Sequence, residues 1–254
     1  MGRVRGTIGA VVVVALVLAR SAGAVVPLTI DDADAVDWGH YQLNAGWQLQ
    51  HLPSADLHVL PVNPVVGIAS HGELGVTLGY AWRDGRGARR SGDDVDGITD
   101  LAIRTKWELG THADDRLNLS VAIELDVPTG SAHRGLGTGH VDVGAVMIGT
   151  RTWGSTSCDW NVGYLVVDAG GTSISDDAWL VGQAVRHSLN DRWTAIGEAY
   201  GVLPHTDGGD HTGFFDAGLQ FQVTEHVLLS VLVGTAAGRG SPEFTSSFAV
   251  TIDS

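Results

Sequence analysis

The stretch Leu117 to Asp126 separates cleanly by parity. Leu117, Leu119, Val121, Ile123 and Leu125 fall on one side, and Asn118, Ser120, Ala122, Glu124 and Asp126 on the other. A strand projects alternate side chains to opposite faces, so this segment has one apolar surface backed by one polar, charged surface. Segments built the same way recur along the chain at roughly 9–11 residues, the length a tilted strand needs to cross a bilayer. A soluble β-sandwich also alternates, but it buries its apolar faces against each other and sends its charges to water. A transmembrane barrel inverts that arrangement, with apolar faces toward lipid and charges in a wet interior.

The amino-terminal residues favour the second reading. Arg3 and Arg5 form a positive region, Ile8 to Ala19 an apolar run, and Ala22-Gly23-Ala24 a small-residue cleavage site. This pattern predicts a secretory signal peptide over residues 1–24 rather than an uncleaved anchor, followed by one domain over 25–254. No other segment is apolar enough to span as a helix, so entry into a membrane would be by strands. The 35 glycines suit strands that must curve and close. Cys158 is the single cysteine, which excludes an intramolecular disulfide and reads as a packed side chain rather than a reactive thiol. A net charge of −14 argues against nucleic-acid binding.

Alternation and turn residues predict twelve strands, near 40–50, 58–69, 72–83, 98–109, 116–127, 140–151, 159–168, 178–187, 192–201, 213–223, 226–234 and 244–252. The eighth and ninth are untidy. Links after even strands are short, at 70–71, 188–191 and 224–225, and those after odd strands are longer, at 84–97, 128–139 and 202–212. Links at 110–115 and 152–158 are intermediate. An even-stranded bacterial barrel has this asymmetry, with short periplasmic turns and longer outer loops. Trp82, Trp107, Trp153, Trp160, Trp179 and Trp193 fall near strand ends, where interfacial girdles lie. The predicted fold class is therefore all-β, an antiparallel transmembrane β-barrel of about twelve strands.

Three blocks carry a resemblance to a known family. The first is Gly97-Ile98-Thr99-Asp100-Leu101-Ala102-Ile103-Arg104-Thr105-Lys106-Trp107. Next comes Ala122-Ile123-Glu124-Leu125-Asp126-Val127-Pro128-Thr129-Gly130, and then Gly135-Leu136-Gly137-Thr138-Gly139-His140-Val141-Asp142-Val143-Gly144. Together with the segments at 195–201 and 216–221, they resemble the bacterial family labelled for the MetA-pathway of phenol degradation, exported proteins often called transporters. The resemblance covers most of the chain after Gly72. It implies an outer-membrane barrel admitting aromatic or other hydrophobic compounds.

The polar strand faces nominate pore-lining residues: Glu73, Arg83, Asp100, Arg104, Lys106, Glu108, Arg116, Glu124, Asp126, Asp142, Glu198 and Asp216. Charges of both signs in a confined lumen either line a water path or pair into a plug. The glycine-dense link holding Pro128, Thr129, Gly130, Gly135, Gly137 and Gly139 lacks the ending of a phosphate loop. It reads as a flexible outer loop able to fold inward as a constriction. His205 to His211 offers metal-ligand types but has the composition of a turn, so no metal and no cofactor is expected.

No serine elbow, metalloprotease or Cys-x-x-Cys motif is present. Four histidines, His71, His112, His187 and His226, lie near predicted turns. Ser188 beside His187 makes a poor dyad, because adjacent residues point to opposite faces. The expectation is a non-enzymatic, porin-like channel in the outer membrane, passing small solutes by diffusion. Its expected partners are membrane lipids, lipopolysaccharide and the barrel-assembly machinery. A non-conducting structural or ligand-binding barrel is the alternative, and a barrel-based lipid hydrolase the third.

Overall fold

The structure, a computed structural model, describes residues 28–85, 95–112, 117–167, 177–205 and 211–254. The expected signal peptide, Arg116 and the centre of the His205 to His211 segment lie outside the described residues.

Period-two alternation sets the architecture. Thirteen strands follow in order: β1 (Tyr41–His51), β2 (Ala55–Ala69), β3 (Gly72–Gly85), β4 (Val95–Ile98), β5 (Leu101–His112), β6 (Leu117–Val127), β7 (Asp142–Trp153), β8 (Thr156–Val166), β9 (Ala178–Ser188), β10 (Trp193–Pro204), β11 (Thr212–Thr224), β12 (Val227–Ala237) and β13 (Phe244–Asp253). Each pairs antiparallel with its neighbours, and β1 pairs with both β2 and β13, closing the sheet on itself. The short β4 and the longer β5 both pair with β3 and share one place in the wall. The barrel therefore has twelve positions, each near a predicted strand.

The wall breaks at Thr99 and Asp100 because Asp100 turns its carboxylate to a loop. Its two oxygens accept from the backbone N–H groups of Gly130 and Thr138, at 2.8 and 2.9 Å. That loop includes the one helical turn of the described residues, Ala132–Arg134. It folds back so that Leu136 is buried among Leu52, Leu57, Val59, Ala81 and Val95. Leu57, Val59 and Ala81 are inward-facing residues of β2 and β3. The loop therefore covers part of one mouth of the barrel.

Outward faces are apolar, with Leu78, Ile123, Val181, Leu219 and Val233 all exposed. So broad an apolar surface is a liability in water and the ordinary state of a wall that meets lipid. Aromatic rings flank the band. Trp107, Trp153 and Trp193 lie at the turn end, where Trp193 packs on Phe221 with centroids 4.6 Å apart. At the loop end His58 is stacked between Trp47 and Trp82, and Tyr164 meets Trp179 edge-on. Trp160 sits nearer the middle of its strand than expected. Short turns collect at the end holding residues 70–71, 154–155, 189–192 and 225–226. The loop at 128–141 lies at the other end.

Candidate functional site: a lumen crossed by the chain's own N-terminal segment

Residues 28–37, ahead of β1, lie inside the barrel rather than outside it. Leu28 to Asp37 form an extended strap inside the lumen, running from β10 across β8, β7, β6 and β5 to β3 and β2. An extended segment has no hydrogen-bonding partner of its own, so its backbone groups must find partners in the wall. They do so one after another. Glu198 accepts from the N–H groups of Thr29 and Ile30, both at 3.0 Å. Asn161 brackets Asp31, accepting from its N–H at 2.9 Å and donating to its carbonyl at 2.8 Å. The Ala33 N–H donates to Thr150 Oγ1 at 2.9 Å, and Ser120 Oγ donates to the Ala33 carbonyl. Glu108 takes the Ala35 N–H at 2.8 Å, and Glu73 the Val36 N–H at 2.7 Å.

Charge is matched as well as backbone. Asp31 pairs with Arg104 Nη1 at 2.8 Å and with Lys106 Nζ at 3.5 Å. Asp32 pairs with Arg186 Nη1 at 2.9 Å, and Arg186 in turn holds Asp159 at 3.0 Å. Lys106 also reaches Glu73 at 3.5 Å. Asn118 Nδ2 donates to Asp34 at 2.6 Å. Burial pushes the Asp32 carboxyl upward, but the charges of Lys106 and Arg186 outweigh it and hold the group below its ordinary value. Burial and the charge of Asp32 push Asp34 up, outweighing the hydrogen bond from Asn118 and the charge of Lys106.

Two glycines make room for the strap. A Cβ at Gly182 would overlap Ile30, and a Cβ at Gly67 would overlap the Asp37 carbonyl. Gly67 also donates to the His40 carbonyl and accepts from Gly39, tying the strap's exit to β2.

The sequence-nominated residues divide by location. Glu73, Arg104, Lys106, Glu108 and Glu198 converge on the strap. Asp126 and Asp142 are buried cross-strand partners in register on β6 and β7, with Glu124 one inward step away. Asp216 faces inward on β11 and accepts from Thr245 Oγ1 at 2.6 Å. Arg83 is half-buried near the loop end of β3, and Asp100 anchors the outer loop. Gly130 and Gly137 approach Asp100 closely, while Pro128, Thr129, Gly135 and Gly139 lie along the same loop. Asn161, Thr150, Ser120, Asp159, Arg186 and the strap itself were not nominated. His187 is paired with Thr156 Oγ1 rather than with Ser188.

On the loop side of the strap lies a cavity of about 70 Å³. Ala122, Val146, Leu165, Ala178, Leu180 and Val202 form its apolar walls. Asp31, Arg104, Glu124, Asp126 and Asn161 supply the polar side chains, with the strap as a floor.

A family model described as "Putative MetA-pathway of phenol degradation" matches residues 34–252. The chain belongs to that family. No protein of curated function matches it. Among solved structures it is similar to the KdgM porin, with TM-score 0.57 at 6% identity over 82% of this chain and 98% of that one. The NanC porin gives 0.54 at 10% identity over 84% and 98%. The translocator domain of the autotransporter NalP from Neisseria meningitidis gives 0.55 at 11% identity over 98% and 97%. At these identities the likeness concerns the fold, which is that of outer-membrane barrels.

Proposed function

We propose that this family member is a non-catalytic outer-membrane channel through which small, largely apolar or aromatic solutes pass by diffusion. The observation that carries this reading is the cavity inside a closed barrel, apolar on its walls and polar at its floor. That is the usual make-up of a small-molecule site. At about 30 Å³ of liquid volume per water, its space holds about two waters that an apolar solute would displace. The porin-like fold and the family's link to a phenol pathway support the same reading. In this orientation the short turns face the periplasm, and the loops face outward among lipopolysaccharide. The aromatic rings mark the two lipid interfaces, and assembly would use the outer-membrane insertion machinery.

The strap favours a second reading, a barrel whose interior is closed and whose role is structural. Conductance in planar bilayers and uptake of one-ring solutes by proteoliposomes decide between them, once heat-modifiable gel mobility confirms a folded barrel. Discrete current steps with solute uptake support the channel. A folded protein with neither, under all conditions including loss of the strap's ion pairs, supports the closed barrel.

A further inference from the structure

The strap combines a tight fit with a weak kind of attachment. Its apolar anchors are few: Leu28 against Ile196 and Leu232, Ile30 over Gly182, and Ala33 against Ala122 and Ile148. Everything else that holds it is a hydrogen bond or an ion pair to a wall side chain, and water can replace such bonds at small net cost. The barrel does not need the strap in order to close, because the strand ladder is complete without it. Two of the three cations that grip it also have wall carboxylates in ion-pair range, Lys106 with Glu73 and Arg186 with Asp159. A departing strap would therefore leave these side chains paired rather than orphaned. Four carboxylates of the segment, Asp31, Asp32, Asp34 and Asp37, would meanwhile gain solvent.

From this we infer that residues 28–37 are a displaceable gate, docked in a built groove of the lumen, whose release opens the path through the barrel. This rests on the channel reading above and adds its regulation. Asp31 and Asp32 are the latch, and Arg104, Lys106 and Arg186 are the keepers. With the strap out, the lumen keeps Glu73, Glu108, Glu124, Asp126, Asp142, Asp159, Glu198 and Asp216 against Arg83, Arg104, Lys106 and Arg186 among the described residues. The open state is therefore cation-selective.

The test uses two full-length variants. In a Cys158→Ser background, Ala33→Cys with Ala122→Cys places thiols on two alanines that pack together in the closed form. Oxidation should silence conductance, and reduction should restore it. Asp31→Asn with Asp32→Asn should raise open probability by roughly tenfold or more, since it removes the carboxylates through which Arg104, Lys106 and Arg186 hold the strap. The resulting current should select cations. Equal current through the oxidised and reduced cysteine pair overturns the gate while leaving the channel intact. Anion selectivity in the Asn variant overturns the assigned open lumen. If the Asn variant loses heat-modifiable mobility, the cysteine pair alone decides. Silence in every folded form, the reduced pair and the Asn variant included, overturns both the gate and the channel.

Discussion

The two halves of the lumen wall solve the same problem differently. Both present polar side chains to a confined interior, where an unpaired polar group is costly. Around β13, β1, β2 and the Thr77 stretch of β3 the solution is neutral and self-contained, while Glu73 at the turn end of β3 belongs to the strap's side. Thr251 Oγ1 donates to Asn44 at 2.8 Å, Asn44 Nδ2 to Asn63 at 3.2 Å, and Asn63 Nδ2 to Thr77 at 2.8 Å. Across the barrel, from β5 to β10, the wall is charged and turns much of its bonding capacity to the strap. The neutral wall is finished by its own strands, whereas the charged wall is built to receive something. Polarity alone does not distinguish lining from docking. The distinction lies in whether the bonding capacity closes within the wall.

Lys106→Met should break this contrast most severely. It removes a cation shared by Asp31, Asp32 and Glu73, and orphaning a buried ionic partner costs about 3–5 kcal/mol. The expected result is strap release, read as protease cleavage within residues 28–37, with barrel mobility on gels retained. Asn161→Ala comes next. It removes both bonds that bracket Asp31, about 2 kcal/mol at about 1 kcal/mol each, and should give partial cleavage at the same sites.

The pH dependence of docking sharpens the comparison. Asp32 is depressed, so its contribution is fully present above the ordinary value of 3.8 and is lost as pH falls through its lowered value. Asp34 is raised, so its contribution is greatest below 3.8 and fades as pH rises through its higher value. Strap protection should therefore decline on both sides of that region. Asp32→Asn should remove the acid limb and Asp34→Asn the other, as hydrogen exchange of the strap amides would show. The smallest effect belongs to the neutral wall. Thr251→Val should cost about 1 kcal/mol in thermal unfolding and leave strap cleavage unchanged. A matching loss of strap protection would mean that the two walls are not independent.

The strands were legible because lipid outside and water inside impose one simple rule, and Leu117 to Asp126 obeys it at every residue. The two untidy segments became β9 and β10, and their untidiness has a cause. Ala178, Leu180 and Val202 point inward yet are apolar, because they wall the cavity and cluster with Phe214. A period-two reading expects polar residues there. Arg186 escaped nomination for the same reason, since its strand had no clear inward face. The strap was hidden more deeply. It binds through backbone N–H groups, which every sequence possesses, so no side-chain period announces it. Its single sequence signal was the cluster Asp31, Asp32, Asp34 and Asp37, facing Arg104 and Lys106 already assigned to the interior. Charge complementarity between a segment outside the strands and a face inside them was the clue available.

The course of the strap has a mechanical side. Ten residues fasten β10 through Glu198, β8 through Asn161, β5 through Glu108 and β3 through Glu73, points spread around much of the circumference. A thin-walled tube flattens easily under sideways load, and a tie rod across its bore resists flattening in both directions. Docked, the segment would hold the barrel's cross-section round. Undocked, it would leave a tube free to become elliptical, so the stiffness of the barrel in the plane of its membrane would change with the position of residues 28–37.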